Sequence, residues 1–228
     1  MARILITSGP TRQYLDPVRY LTNASSGRMG RALAEVVLGD GHEVVVVSGP
    51  VEIAYPPQAR VVPVVTTDEM LAACRREFPR CDGLIGVAAP CDYRPVTVQE
   101  HKIAKTGEPL TLHLVETPDV VATLGAQKVR EGTHQWLVGF ALETDDRRFR
   151  AITKLQRKSC DLIVLNGPEA MNSAMNNVEI LDRAGNVLGA PAGTKEVVAR
   201  GIWDVIVRTL GSQTVRSRRE GNADDPAV

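Results

Sequence analysis

The residues with the clearest chemical potential lie between the first predicted strand and the first predicted helix. The connection reads SGPTRQYLDPVRYLTNASSGRMG over residues 8–30, much longer than an ordinary strand-to-helix turn. Ser25, Ser26 and Gly27 stand where the helix should begin, so backbone N–H groups, hydroxyls and the helix dipole could bind an anion. The alternative is a plain N-cap formed by Ser25 or Ser26. The polar, proline-containing loop favours a ligand site, because such loops follow the carboxyl ends of strands in α/β sheets.

A second cluster follows a later strand and reads LIGVAAPCDYRPVTVQEHKIAK over residues 84–105. The strand ends in small residues, which would let a ligand approach the backbone closely. Asp92, Arg94, Lys102 and Lys105 follow on an extended loop whose cations could neutralise a polyphosphate and close over it. The alternative is a solvated surface loop with scattered charges.

Three further residues have both a chemical and an ordinary interpretation. Lys154 and Lys158 are four positions apart on one predicted helix face just before a strand. They could bind an anion, but exposed lysines near a helix C-terminus are also favoured by the helix dipole. Phe140 could stack on a base or simply fill the core.

The common nucleotide and hydrolase motifs are missing from the sequence. Gly27 and Gly30 give only part of the pattern G-x-G-x-x-G, and no acidic residue ends the second strand at Ser48-Gly49-Pro50, so NAD is disfavoured. The P-loop, the nucleophile elbow and the H-E-x-x-H zinc motif are also absent. We therefore expect no metal site built by the protein alone.

Charge and cysteine content limit the possible partners. The 228 residues carry 27 Lys and Arg against 27 Asp and Glu, which argues against general binding to nucleic acid or to a membrane. The 4 cysteines show no C-x-x-C pair and no disulfide rhythm, as is typical of a reducing compartment. With no signal peptide and no long apolar run at the start of the sequence, we expect a cytoplasmic protein.

The elements that must position these residues alternate regularly. Strands are predicted at 2–7, 43–48, 60–65, 83–88, 110–116, 135–141 and 161–166, and helices at 28–39, 67–77, 118–130, 145–158 and 194–210. Buried strands alternating with helices predict a doubly wound, Rossmann-like α/β fold with a mostly parallel sheet. Two strands near 177–188, joined at Asp182–Gly185, predict a C-terminal β-ribbon. We expect one domain over 1–210 and a disordered tail over 211–228.

Several motifs, taken in order, resemble one family. The stretches SGPTR, DPVRYLTNASSGRMG, AAPCDYRP, HKIAK, ETPDVV, VGFALET and KSCDLIVLN are similar to phosphopantothenate–cysteine ligases of coenzyme A biosynthesis, of the bacterial CTP-using type. The likeness covers about residues 3–210. Many bacterial members are fused behind a flavin-dependent decarboxylase. Because Met1 directly precedes the first strand here, the resemblance implies a stand-alone ligase and a separate decarboxylase.

The resemblance also implies a reaction and its residues. CTP, arriving with Mg²⁺, activates the carboxylate of 4′-phosphopantothenate as an acyl-cytidylate with release of pyrophosphate, and the amine of L-cysteine then displaces CMP. By resemblance, Asn23 and Lys102 are catalytic. Other residues implied to bind the nucleotide are Gly86, Val87, Ala88, Asp92, Pro118, Asp119, Val120, Val121, Phe140, Lys154 and Lys158. Residues expected to bind the acyl substrate are Arg12, Arg19, Asn23, Ser25, Ser26, Gly27 and Ala89.

The sequence also departs from the family pattern. Ala104 replaces the third residue of a Lys-Ile-Lys-Lys motif, and Pro90 removes a backbone donor next to the nucleotide-binding stretch. These changes keep open a non-catalytic relative that only binds a nucleotide or phosphopantothenate. An NAD(P) reductase is a third hypothesis, supported by the fold and the two glycines alone. Family members are homodimers, so a homodimer is expected here.

Overall fold

The computed structural model describes residues 1–143, 145–167 and 175–221, with side chains up to Gly211. Its strands are β1 (Arg3–Ser8), β2 (Arg12–Tyr14), β3 (Tyr20–Thr22), β4 (Glu43–Ser48), β5 (Arg60–Pro63), β6 (Gly83–Gly86), β7 (Tyr93–Pro95), β8 (Leu114–Glu116), β9 (Trp136–Leu142), β10 (Leu162–Asn166), β11 (Met175–Asp182), β12 (Val187–Gly189) and β13 (Ala192–Thr194). Its α-helices are α1 (Arg28–Gly39), α2 (Thr67–Glu77), α3 (Val120–Glu131), α4 (Arg147–Arg157) and α5 (Lys195–Gly221).

The main sheet has nine strands, eight of them in the order β12-β11-β10-β9-β6-β1-β4-β5, with β13 paired to β11. From β5 to β10 every neighbouring pair is parallel, and only the C-terminal strands run antiparallel. This confirms the predicted doubly wound sheet. The strand order reverses at β1, which has β4 on one side and β6 on the other, and ligands of such sheets bind outside the carboxyl ends of the strands at this point.

Helices cover both faces of the sheet because successive strand residues point to opposite sides. Ile4 and Ile6 of β1 belong to a buried cluster with α1 and α5, whereas Leu5 belongs to a second cluster with α2, α3 and α4. Strands buried on both faces explain the continuous aliphatic runs seen in the sequence.

Two short hairpins stand apart from the main sheet. β2 pairs antiparallel with β3, and β7 pairs antiparallel with β8. The prediction of a strand over 110–116 was therefore wrong in its length and in the sheet to which it belongs. Only residues 114–116 form a strand, and this strand pairs with β7 instead of joining the main sheet. The apolar residues Leu110 and Leu112, which favoured a buried strand, are exposed.

The helix starts follow local capping chemistry. Thr66 and Glu69 form a capping box at the start of α2. Asp119 caps α3 by accepting from the backbone N–H of Ala122, so this helix begins at Val120 rather than at the predicted 118.

The C-terminal region contains one confirmed prediction and one correction. β11 and β12 form the predicted ribbon, turning where Asp182 accepts from the backbone N–H groups of Ala184 and Asn186. The helix α5 continues beyond the predicted end at 210 to Gly221, since Gln, Arg and Glu readily extend a helix that is already nucleated. The expected disorder of the tail over 211–228 stays a prediction. Residues 222–228 lie outside the described residues. Within the described part, no helix has both the length and the apolarity needed to cross a membrane.

Candidate functional site

The N-terminus of α1 is open. Its N-cap residue is Gly27, with φ of 73°, and none of the described side chains caps the helix. The alternative of an N-cap by Ser25 or Ser26 is therefore wrong, because the left-handed turn at Gly27 ends the loop one residue later. The first N–H groups of a helix have no intrahelical partner, so those of α1 remain available to an anion.

Close packing of small residues holds this helix end against the sheet. A side chain at Gly30 would overlap the side chain of Ser8, and the Ser8 hydroxyl donates to the carbonyl of Gly27 at 3.3 Å. The absence of a side chain at Gly30 therefore allows α1 to pack closely against β1. The open helix end consequently lies directly at the carboxyl end of β1.

Two adjoining clefts lie at this edge of the sheet. The first, here called the α1 cleft, has a volume of about 490 Å³. It is lined by Asn23, Ala24, Ser25, Ser26, Gly27, Arg28, Met29, Gly30, Val87, Ala88, Ala89, Pro90, Asp92, Phe140, Ala141, Leu142, Lys154, Asn166, Asn176 and Lys195. It thus contains all the predicted acyl-substrate residues except Arg12 and Arg19.

The second, here called the α3 cleft, has a volume of about 590 Å³. It is lined by Thr7, Gly86, Ala88, Pro90, Asp92, Tyr93, Glu116, Thr117, Pro118, Asp119, Val120, Val121, Ala122, Gly139, Phe140, Arg157 and Lys158. Most of the predicted nucleotide-binding residues therefore come together here, whereas Val87 and Lys154 line the α1 cleft alone.

The two clefts meet at shared residues. Ala88, Pro90, Asp92 and Phe140 line both of them. Asn23 lies at this junction, where its side-chain amide donates to the carbonyls of Ala89 at 3.4 Å and Pro90 at 2.8 Å. A group bound in one cleft could therefore meet a group bound in the other beside Asn23.

The α1 cleft also contains cationic and amide groups that the sequence did not reveal. Lys195 donates to the side-chain oxygen of Asn176 at 3.0 Å. Burial lowers the pKa of Lys195, and the nearby charge of Arg28 lowers it further, so two like charges are held together beside the open helix end. Asn166 has a buried side-chain oxygen without a hydrogen-bond partner among the described residues. An anionic ligand with hydroxyl or amide groups would satisfy this environment.

Sequence alone could have indicated only part of this set. Asn166 ends a parallel strand, and strand ends of α/β sheets form ligand sites. Asn176 and Lys195 are brought there by the pairing of β11 with β13, in which Asn176 lies opposite Gly193. No local motif predicts that pairing.

Several cations that the sequence singled out already have acidic partners. Lys154 lies 2.6 Å from a carboxylate oxygen of buried Glu143. In the α3 cleft, Lys158 lies 3.1 Å and Arg157 3.6 Å from one oxygen of Asp119. The other oxygen of Asp119 caps α3, so this helix end is occupied by a protein carboxylate.

Three predicted site residues line neither cleft. Arg12 stacks over the ring of Tyr20, with its guanidinium carbon 4.6 Å from the ring centre. Arg19 donates to the side chain of Asp16 and to the carbonyl of Ile103. Lys102 is exposed on the loop between β7 and β8.

A buried hydroxyl network fixes the loop after β6. The Thr11 hydroxyl accepts from the backbone N–H of Cys91 at 2.8 Å and hydrogen-bonds the Thr67 hydroxyl at 2.8 Å. The carbonyl of Cys91 accepts from Thr67 and Thr117. Cys91 is thus held through its backbone and, like the other three free cysteines, is buried, which agrees with a structural role.

Comparisons with known proteins identify the family of this chain. The family profile described as "DNA/pantothenate metabolism flavoprotein C-terminal domain" matches residues 1–210. The chain is 39% identical over 205 residues to a protein named Cysteine/Cysteine sulfinic acid decarboxylase from an unknown prokaryotic organism, covering 88% of this chain and 56% of that protein. It is 39% identical over 211 residues to the coenzyme A biosynthesis bifunctional protein CoaBC of Escherichia coli K12, covering 90% of this chain and 51% of that protein.

A solved structure extends the match to three dimensions. The crystal structure of the C-terminal domain of a CoaBC protein superposes with a TM-score of 0.77 at 37% identity, covering 92% of this chain and 98% of that one. The chain spans about half the length of the curated relatives it matches. These matches confirm the family resemblance carried by the sequence motifs, and the chain belongs to the family of DNA/pantothenate metabolism flavoprotein C-terminal domains.

Proposed function

We propose that this chain is a ligase of coenzyme A biosynthesis that joins 4′-phosphopantothenate to L-cysteine, with CTP as co-substrate and an acyl-cytidylate as intermediate. The observation that carries the proposal is the pair of clefts that meet beside Asn23 and share Ala88, Pro90, Asp92 and Phe140. Two substrates that must react with each other need two such adjoining sites.

The α3 cleft suits a nucleotide. Gly86 lies in this cleft at the end of β6, where its missing side chain leaves room for Val121 of α3. Half-buried Phe140 offers an apolar ring face. Lys158 supplies a cation at the far wall.

The α1 cleft suits an anionic acyl substrate. The open end of α1 offers N–H donors, and Arg28 and Lys195 supply positive charge. The same donors would stabilise negative charge that develops at the junction during the reaction.

The proposed activation step is a nucleotidyl transfer. A carboxylate oxygen of phosphopantothenate attacks the α-phosphorus of CTP, the bond from that phosphorus to the bridging oxygen breaks, and pyrophosphate leaves with this oxygen. We propose that Lys102 stabilises the charge on the phosphates in this step. Because Lys102 lines neither cleft, its contribution depends on how its loop is held or on a partner protomer.

Amide formation follows at the junction. The cysteine amine attacks the acyl carbon, loses a proton, and the carbon–oxygen bond to CMP breaks. We propose that Asn23 holds the acyl group here, since its position next to the Ala89 and Pro90 carbonyls fixes its amide at the point where the clefts meet.

Magnesium fits this site as an ion that arrives with the nucleotide. No group of three or more His, Cys, Asp or Glu that could hold a metal occurs in the described ranges. Mg²⁺ usually takes one or two protein carboxylates, with substrate phosphates and water as its other ligands. Exposed Asp92, which lines both clefts, would hold the ion, and the bound ion would neutralise phosphate charge.

A homodimer is proposed from the surface of the two small hairpins. Tyr20 on β3, Tyr93 on β7 and Leu114 and Val115 on β8 are all exposed, as is Val96 just after β7. These exposed apolar side chains lie on both faces of the β7–β8 hairpin and on β3, and association would remove them from water. Arg12, which lies on β2, would then be available to the partner's cleft.

The proposal is tested by product analysis. The protein is incubated with 4′-phosphopantothenate, Mg²⁺ and CTP, with ATP in parallel, each with and without cysteine. We expect pyrophosphate release with CTP and amide formation only when cysteine is added. A preference for ATP would overturn the choice of nucleotide. Binding without turnover by either nucleotide would favour the non-catalytic relative.

Two variants separate the proposed steps. Lys102→Gln should abolish pyrophosphate release, because activation loses the cation on the phosphates. Asn23→Ala should still release pyrophosphate but form little amide. Glu100→Gln, on the same exposed loop as Lys102, serves as the control and should keep full activity. Full turnover by either of the first two variants would remove the residue's assigned role.

A further inference from the structure

Asp16 is a fully buried carboxylate in the turn that joins β2 to β3, and the proposed function assigns it no role. One of its oxygens accepts from the backbone N–H groups of Val18 and Arg19, both at 2.8 Å. The other accepts from the Arg19 guanidinium at 2.7 Å and from the backbone N–H of Ile103 at 3.0 Å. Burial alone would raise the pKa of Asp16, but these hydrogen bonds together lower it to about 2.

Ile103 is therefore hydrogen-bonded through both of its backbone polar groups. Its N–H donates to Asp16, and its carbonyl accepts from the same Arg19 nitrogen that pairs with Asp16, at 3.0 Å. A second point of attachment lies nearby, where the N–H of Gln99 donates to the carbonyl of Leu15 at 2.9 Å. Lys102 lies directly between these two attachments.

The rest of this loop has little to hold it. Residues 97–102 and 104–113 are exposed, and Ile103 is the half-buried exception. An exposed loop with few buried contacts samples many conformations unless specific hydrogen bonds restrict it. A charge-assisted bond to a buried carboxylate is among the stronger restrictions available.

We infer that Asp16, acting through Ile103 and Arg19, is a positioning residue that fixes the loop carrying Lys102 relative to the connection that carries Asn23. The hydrogen bonds that join Ile103 to Asp16 and Arg19 are here called the tether. That the tether serves catalysis rests on the proposed function, whereas the tether itself is tested by a measurement that does not depend on activity. It also gives Arg19 a role in place of the substrate contact expected from the sequence: Arg19 completes the tether.

The first test is limited proteolysis with trypsin, which cleaves after Lys102 and Lys105. In the wild type, cleavage at Lys102 requires Ile103 to leave its two partners. Asp16→Asn should accelerate this cleavage by roughly tenfold or more, because a hydrogen bond to a charged, buried group is lost. Glu100→Gln, on the same loop, is the control and should leave the rate unchanged.

A second variant keeps the test decisive if Asp16→Asn is poorly folded. Arg19→Gln removes the bridge to the Ile103 carbonyl while leaving the buried carboxylate and its three backbone donors, so it should accelerate cleavage less than Asp16→Asn. Thermal unfolding of each variant is measured in parallel. Cleavage at Lys102 that rises only in proportion to cleavage at all other sites would reflect global unfolding and would overturn the tether.

The catalytic purpose is tested by the kinetics of CTP-dependent pyrophosphate release. Asp16→Asn should lower kcat/KM for CTP by roughly tenfold, the same factor by which the tether is weakened. Amide formation from preformed acyl-cytidylate should be unaffected. Unchanged CTP kinetics in a variant whose loop is cleaved faster would overturn the positioning role. An inactive wild type would overturn the proposed function together with that role, whereas the cleavage result would still decide the tether.

Discussion

The N-termini of α1 and α3 lie at the same edge of the same sheet, yet they are built in opposite ways. α3 begins at Asp119, whose carboxylate caps the helix and pairs with Lys158. α1 begins at Gly27 in a left-handed turn, with no cap from any described side chain. A capped helix end adds stability, whereas an open end keeps its donors for a ligand. The contrast supports the proposal that α1, rather than α3, offers free helix N–H donors to an anionic ligand.

The surrounding charges follow the same division. Beside α3 the cations Lys158 and Arg157 face Asp119. Beside α1, Lys195 hydrogen-bonds a neutral amide and lies close enough to Arg28 for the two charges to repel. Ion pairs with Asp119 therefore neutralise part of the positive charge beside α3. Arg28 and Lys195 have no ion pair among the described residues, although nearby Glu196 offsets part of the charge of Lys195.

The largest expected effect on stability comes from disrupting the packing of the N-terminus of α1 against β1. Gly30→Ala would drive a methyl group into Ser8 on β1, and we expect a loss of ~1–3 kcal/mol in the free energy of unfolding. Denaturant titration measures this. Gly39→Ala, in the last turn of the same helix, is the matched control: nothing lies within 4 Å of the added carbon, so it should be neutral or stabilising. Equal losses in both variants would contradict the packing account.

A smaller effect is expected at the capped end. Asp119→Ala removes the α3 cap and should cost ~1 kcal/mol of unfolding free energy, by the usual value of an N-cap. Asp119→Asn retains a capping oxygen and should lose clearly less. Thermal or chemical unfolding compares the two, and an Asn variant as unstable as the Ala variant would show that the ion pair, rather than the cap, is what stabilises this end.

A smaller change in stability is expected at the open end itself. Ser25→Ala and Ser26→Ala remove no cap, so each should change the free energy of unfolding by less than ~0.5 kcal/mol. Both should nevertheless weaken protection by phosphopantothenate in ligand-dependent thermal shifts, since these residues line the α1 cleft. A loss of ~1 kcal/mol in either variant would mean that the serine does act as a cap.

The smallest effect is expected from changing the pH within the neutral range. This change should leave the contribution of Asp16 to the free energy of unfolding almost unaltered. The pKa of Asp16 is about 2 in the folded chain and is lowered from 3.8. The carboxylate therefore contributes its full stability above the unfolded value and loses it as the pH falls toward 2. The difference in unfolding free energy between wild type and Asp16→Asn should be constant from pH 5 to pH 7 and shrink below pH 4. A difference that already shrinks between pH 7 and pH 5 would contradict this.

The sequence predicts the repeated strands and helices of the main sheet and misses the short strands of the two small hairpins. The alternation of aliphatic strands and helices gave the doubly wound sheet, and the turn at Asp182–Gly185 gave the ribbon, because both depend on neighbouring residues. The hairpin of β7 with β8 was missed because those strands are far apart in sequence. For the same reason Asn176 and Lys195 could not be placed in the α1 cleft, since only the pairing of β11 with β13 takes them there.

The candidate site shows the same limit at the level of single side chains. Ser25, Ser26 and Gly27 line a cleft, as their residue types suggested. The residue type of Arg19 could not show whether its charge would contact a substrate or, as in the structure, Asp16. Asp16 opens the motif DPVRYLTNASSGRMG, but the motif does not show that its carboxylate is buried or which donors it meets. Its partners, and therefore the availability of Arg19, follow from the fold.

The central claim, that two substrates meet and exchange an acyl group where the clefts join, is tested most directly by isotope transfer. Phosphopantothenate labelled with ¹⁸O in its carboxylate is turned over with CTP, Mg²⁺ and cysteine, and the products are analysed by mass spectrometry. We expect one ¹⁸O in each CMP formed and none in pyrophosphate, because the attacking carboxylate oxygen leaves with the cytidylate. Label in pyrophosphate or in orthophosphate, or amide formed with unlabelled CMP, would contradict it.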